Sequence, residues 1–126
     1  MRLLLDTHIL LWWLADDPRL PRAAETIIGD AANAVHVSAA SFWEVAIKSA
    51  LGRIDVDLDD VVAAIGATGF IELPITSRHS IECGRLPPHH RDPFDRMLVA
   101  QSRFEPLRLV THDRALADYG ENVLLV

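Results

Sequence analysis

Four acidic residues spread along the chain, Asp6, Glu44, Asp95 and Asp113, occupy positions from which carboxylates could act together. Asp6 follows the apolar run Leu3-Leu4-Leu5 and Asp113 follows Leu109-Val110-Thr111, so each stands just past a predicted strand. Either acid alone is equally well explained as the cap of the helix after it. Glu44 falls in residues 39–51, where Phe42, Trp43, Val45, Ala46, Ile47, Ala50 and Leu51 leave only a narrow polar stripe of Ser41, Glu44 and Lys48. That pattern predicts a well-buried helix whose acid faces a pocket or a partner. The plain alternative is a surface Glu44–Lys48 pair worth a few tenths of a kcal/mol. Pro93 suits the first position of a helix, which makes Asp92 its N-cap and puts Asp95 in its first turn, where the helix dipole favours an anion.

Carboxylates gathered at one place repel, and one or more stay protonated unless a cation relieves them. Oxygen donors in a chain with a single cysteine, Cys83, point to Mg²⁺, with Mn²⁺ as a substitute, rather than to zinc. The formal net charge of −6 argues by itself against a polyanionic partner. Two dications would bring it to −2, and eleven of the twelve basic residues are arginine, which suits bidentate phosphate contact.

The positioning elements follow from the apolar pattern. Strands are expected at residues 3–5, 35–37, 70–73, 107–110 and 123–126. Helices are expected at 7–15, 21–32 with Pro21 at the first position, 39–51 capped by Ser38 and closed by Gly52, 59–65 with Gly66 and Gly69 as breakers, 76–84, and 93–104. A last helical turn or two is expected at 113–119. Short continuous apolar strands alternating with helices predict a mainly parallel sheet covered on both faces, a three-layer α/β/α sandwich. Ligands of such sheets collect beyond the carboxyl ends of the strands. A chain of 126 residues, 50% hydrophobic and 24% charged, without repeats or linkers, is expected to form one domain over 1–126. The N-terminal apolar stretch is interrupted by Asp6 and His8 and followed by Asp16-Asp17-Pro18, unlike a secretory leader. No apolar run reaches the roughly 20 residues of a membrane span, and a cytoplasmic protein is expected.

Four segments, "LLLDTHILLWWL", "VSAASFWEVAIKSALGRI", "LPPHHRDPFDRMLVAQS" and "LVTHDRAL", occur in an order that resembles the PIN-domain ribonucleases, in particular the VapC-type toxins of type II toxin–antitoxin pairs. "HRDPFDRMLVAQ" is the most specific of them. The resemblance covers nearly the whole chain and implies the PIN-like fold. It aligns the family's four acids with Asp6, Glu44, Asp95 (rather than Asp92) and Asp113. It further implies Mg²⁺-dependent endoribonuclease activity on structured cellular RNA, a VapB-type antitoxin as inhibitor, and a homodimer. Asp6, Asp95 and Asp113 would hold ions directly, and Glu44 would hold a second ion or orient water.

Other residues admit two readings each. Thr7 and Thr111 flank two of the acids, and their hydroxyls either position metal and water or bond local backbone. Trp12 and Trp13 fit core or interface better than a base-stacking platform. The six histidines show no zinc-ligand spacing; His89-His90-Arg91 either meets RNA phosphate or is a plain polar loop. Arg96 and Arg103, one heptad apart, contact RNA or solvate an outer face. Cys83 is expected to be a small buried apolar residue. Two rival functions remain: a receiver-like Mg²⁺-binding signalling domain, disfavoured by the single Asp6 after the first strand, and a non-catalytic interaction module.

Overall fold

A computed structural model describes residues 1–126. In chain order the elements are β1 (Arg2–Leu5), α1 (Thr7–Leu14), α2 (Arg22–Gly29), β2 (Ala34–Ser38), α3 (Ala39–Ala50), α4 (Leu58–Thr68) and β3 (Ile71–Leu73). They continue with α5 (Ser77–Arg85), α6 (Pro93–Phe104), β4 (Arg108–Thr111), a 3₁₀ helix (Arg114–Tyr119) and β5 (Val123–Leu125). All four strand pairings are parallel, in the order β3-β2-β1-β4-β5.

Alternation along β1 divides the interior. Leu3 and Leu5 point to one face, where they pack with Ile9, Ile28, Val37 and Val61 from α1, α2, β2 and α4. Leu4 points to the other, with Ala40, Leu98, Leu109 and Leu116. Successive side chains of a strand face opposite ways, so a central strand covered on both faces reads as an unbroken apolar run.

The strand order locates the functional end. The chain winds from β1 through β2 to β3 on one side, then crosses to β4 on the other side of β1. The direction reverses between β1 and β4, and ligands of such sheets bind outside the carboxyl ends at that switch point. Asp6 and Asp113 follow those two strands. A receiver-type sheet runs in the order 2-1-3-4-5, so the receiver alternative is excluded by topology.

Three boundaries differ from expectation. Pro21 is the residue before α2, with extended backbone (ψ 142°), not its first helical residue. The same helix stops at Gly29 rather than near residue 32, because Asp30 turns the chain by accepting the Ala32 N–H and Asn33 Nδ2 donates to the Ile27 carbonyl. Gly66 lies inside α4, and only Gly69, at φ 79°, ends it. The helix α3 is not buried all round. Its Glu44 side is sealed, but Trp43 is 60% and the following Leu51 62% exposed, with Ile47 between them also exposed.

Candidate functional site

Asp6 is the last residue to extend the sheet and the first to serve the helix. Its N–H donates to the Val110 carbonyl, continuing the β1–β4 ladder, while Oδ1 accepts the Thr7 N–H at 2.7 Å as the cap of α1. Oδ2 accepts the Thr111 hydroxyl at 2.7 Å, and that same hydroxyl accepts the Asp113 N–H at 3.0 Å. Thr111 thus ties the two strand-end acids together and bonds local backbone, one of the two readings the sequence left open. Thr7 instead donates its hydroxyl to Ser41 Oγ on α3 at 2.9 Å. Burial raises the pKa of Asp6, offset by the Thr111 and Thr7 hydrogen bonds.

Glu44 is 3% exposed, and Lys48 Nζ sits 2.5 Å from its Oε2. The i,i+4 pair expected of a surface helix does form, but on a buried carboxylate. The other oxygen, Oε1, is the one buried side-chain polar atom of the protein without a hydrogen-bond partner. Such an atom costs roughly 1–3 kcal/mol when left unpaired.

Asp92 caps α6 as its sequence implies, accepting the N–H groups of Phe94 and Asp95 at 2.8 and 3.2 Å. Asp95 faces the other acids. Burial first, then the charges of Asp6, Asp92, Glu44 and Asp113, push its carboxyl up to about 8. The fold therefore brings Asp6, Glu44, Asp95 and Asp113 into one electrostatic neighbourhood, with Asp92 beside them. Capping and clustering are not alternatives here, because Asp6, Asp92 and Asp113 each cap an element while remaining in the cluster.

His90, which the sequence offered only as part of a phosphate-facing or plain polar loop, is a further neighbour of the acids. Its Nε2 lies 3.3 Å from Asp113 Oδ2 and 3.4 Å from Asp95 Oδ2. The loop bearing it is clamped by Arg96, whose guanidinium donates to the carbonyls of Cys83, Leu86, Pro87 and His90 and to the Tyr119 hydroxyl. Arg103 donates to the Tyr119 carbonyl. The outer-stripe expectation is corrected for Arg96, which is half-buried and fastens the 83–90 segment to α6, whereas Arg103 stays exposed while tying the 3₁₀ helix to α6. Cys83 is only half-buried, packed at the edge of the second core.

Access is through an open cleft of about 300 Å³ lined by Asp6, His8, Trp12, His112 and Asp113. The two tryptophans part company here. Trp13 packs against Phe70, whereas Trp12 stands between His8 and His112 at 6.0 Å from each, with the Arg19 guanidinium 5.5 Å from its ring.

The four clustered acids offer carboxylate oxygens, one of those oxygens lacks any partner, and the Asp95 carboxyl is raised by burial and by its acidic neighbours. That donor set fits a hard dication such as Mg²⁺.

The sequence matches the PIN domain family over residues 3–122. It is 30% identical over 125 residues to Ribonuclease VapC22 of Mycobacterium tuberculosis, covering 92% of this chain and 90% of that protein. The fold is shared with VapBC2 from Rickettsia felis, solved bound to a DNA fragment from its promoter (TM-score 0.70, 14% identity, 100% and 98% of the two chains covered). It is also shared with a toxin–antitoxin complex from Klebsiella pneumoniae (TM-score 0.68, 17% identity, 97% and 95% covered).

Proposed function

The chain belongs to the PIN-domain family, and on that premise we propose that it is a Mg²⁺-dependent endoribonuclease, the toxin of a VapBC-type pair. Residues 1–126 act as one PIN domain in the cytoplasm, on structured cellular RNA such as tRNA or rRNA. The observation that carries this reading is the crowding of acids at the β1/β4 switch point: Glu44 Oε1 lacks a partner, and burial together with the neighbouring acids pushes the Asp95 carboxyl up to about 8.

Asp6, Asp95 and Asp113 would hold the ion, with Glu44 holding a second ion or orienting the attacking water. A bound dication supplies charge stabilisation at the phosphate and a water of lowered pKa. The protein's own part is to fix the donors. Thr111 and the Thr7 N–H hold both Asp6 oxygens, and Lys48 holds one oxygen of Glu44 so that the other stays free. The Asp113 N–H on Thr111 sets that acid's backbone beside Asp6. Attack by water leaves 5′-phosphate and 3′-hydroxyl ends.

The partners follow from the same premise: a VapB-type antitoxin that inhibits by covering the site, and a second copy of the chain. The exposed stripe of Trp43, Ile47 and Leu51 on and just after α3 supports protein contact there, because apolar patches of this kind on soluble domains mark interfaces. No helix is long and apolar enough to cross a membrane.

Brief expression in cells followed by mapping of cleaved RNA ends tests the activity, beside the Asp6→Asn variant and with purified protein in Mg²⁺ or EDTA. Discrete new ends bearing 5′-phosphate, absent in EDTA and in Asp6→Asn, are expected. Equal cleavage by Asp6→Asn would overturn the site, and no cleavage of any cellular RNA would favour the interaction module.

A further inference from the structure

His90 is pinned in an orientation unlike that of a metal-bound histidine. Ligating imidazoles ordinarily donate N–H from the second nitrogen to a carbonyl or carboxylate, which leaves a lone pair on the nitrogen that meets the ion. In this protein the second nitrogen accepts: the Asp92 backbone N–H donates to His90 Nδ1 at 3.1 Å. A neutral ring so held carries its proton on Nε2 and can only donate from there. The two atoms within its reach are Asp113 Oδ2 and Asp95 Oδ2, and all three lie within 4.8 Å of one another, the spacing of donors around a common ion.

The backbone around the ring is equally constrained. His90 N–H donates to the Tyr119 hydroxyl at 3.0 Å, its carbonyl accepts from Arg96, and the Tyr119 hydroxyl donates to the Pro87 carbonyl. Only the side chain is left free to leave. Nothing in the four-acid reading needs this histidine, and the long contacts of 3.3 and 3.4 Å are those of a weak, shared donor.

We propose that the His90 Nε2–H stands in for the cation between Asp95 and Asp113 in the metal-free protein, and that a dication must displace this ring in order to bind. His90 is then a positioning residue that bridges two mutually repelling acids and lowers metal affinity by competing for them. It is not a ligand. The inference rests on the metal-site reading above.

Mg²⁺ titrated into the intact protein by calorimetry tests it. His90→Ala should bind Mg²⁺ roughly 3- to 10-fold more tightly than the wild type, the scale of one weak hydrogen bond to a charged group. His90→Gln, whose amide N–H can take the place of Nε2–H, should stay near wild type. Unchanged or weaker binding by His90→Ala overturns the proposal, weaker binding meaning that His90 is a ligand. In the metal-free wild type, ring ¹⁵N shifts should show Nε2 protonated and Nδ1 bare; the reverse tautomer also overturns it. Failure of the underlying reading looks different: Mg²⁺ binding absent from the wild type, or identical in Asp6→Asn, removes the site and the inference with it.

Discussion

Helix α6 carries two polar clusters that obey opposite rules. Toward its C-terminal half Gln101 is fully buried, yet its Oε1 accepts the Ser38 hydroxyl at 2.5 Å and its Nε2 donates to the Pro74 carbonyl and faces His79 Nδ1, both at 3.3 Å. His79 in turn accepts the Thr76 N–H, and its Nε2 reaches Glu105. No polar atom of that network lacks a partner. At the N-terminal end of the same helix, Asp95 is crowded by four other acids, and Glu44 Oε1 has nothing. A satisfied buried network fixes how α5, α6 and β2 pack. An unsatisfied one is a debt against stability that only a ligand can settle, so incompleteness marks where function resides.

The sharpest way to break this contrast is Asp95→Asn. RNA cleavage should fall by at least about 100-fold, as for loss of a group holding a catalytic ion. Stability should move the other way. The folded protein holds the Asp95 proton up to about pH 8, far above the unfolded value near 3.9, so the folded state binds the extra proton between those limits. Metal-free wild type therefore loses stability as pH rises from about 4 to about 8, and the loss is complete above that. Asparagine carries no such penalty, and in EDTA at about pH 8.5 the variant should be more stable by on the order of 1–2 kcal/mol. Thermal melts in EDTA across this range, repeated with Mg²⁺, measure it. A metal-free melting temperature that is flat with pH, or a destabilised Asp95→Asn, would show that the acid cluster is not strained.

The matching substitution in the satisfied cluster is Gln101→Ala. It strands the Ser38 hydroxyl and the Pro74 carbonyl and opens a void, for an expected loss of about 2–4 kcal/mol in chemical denaturation. Below its lowered melting temperature, specific RNA cleavage should remain within a few fold of wild type. If stability survives while cleavage is lost, Gln101 belongs to the functional cluster and the division along α6 is wrong.

The legibility of the two clusters differed for the same physical reason. Strand and helix positions came from local periodicity, and the unbroken apolar run 3–5 already implied a strand covered on both faces. Asp92 as cap of α6, Ser38 as cap of α3 and Asp113 opening a short helix were legible from spacing alone. The reach of His90 to Asp95 and Asp113, and the turning inward of Arg96, depend on the path of the 87–90 loop, for which no period exists. Arg96 and Arg103 read as one exposed stripe because seven residues bring a helix back to the same side. That geometry says nothing of loops folded over the side. Trp12 and Trp13 differ in role for a similar reason: neighbours on a helix point about 100° apart, and only the assembled sheet edge decides which of them meets the cleft.

Asp92→Asn gives the smallest expected change and tests the boundary between the two kinds of acid. Asn accepts at an N-cap about as well as Asp, so the bonds to the Phe94 and Asp95 N–H groups persist and stability in Mg²⁺ should shift by less than about 0.5 kcal/mol. Cleavage should stay within about threefold, because the cap is not expected to hold the ion. One readout should nevertheless move. Asp92 contributes to the charge that raises Asp95, so its neutralisation should lower the pH at which metal-free stability levels off, while leaving the fall itself in place. An unshifted midpoint would detach Asp92 from the cluster, and a loss of cleavage as large as that of Asp95→Asn would exchange the roles of the two residues.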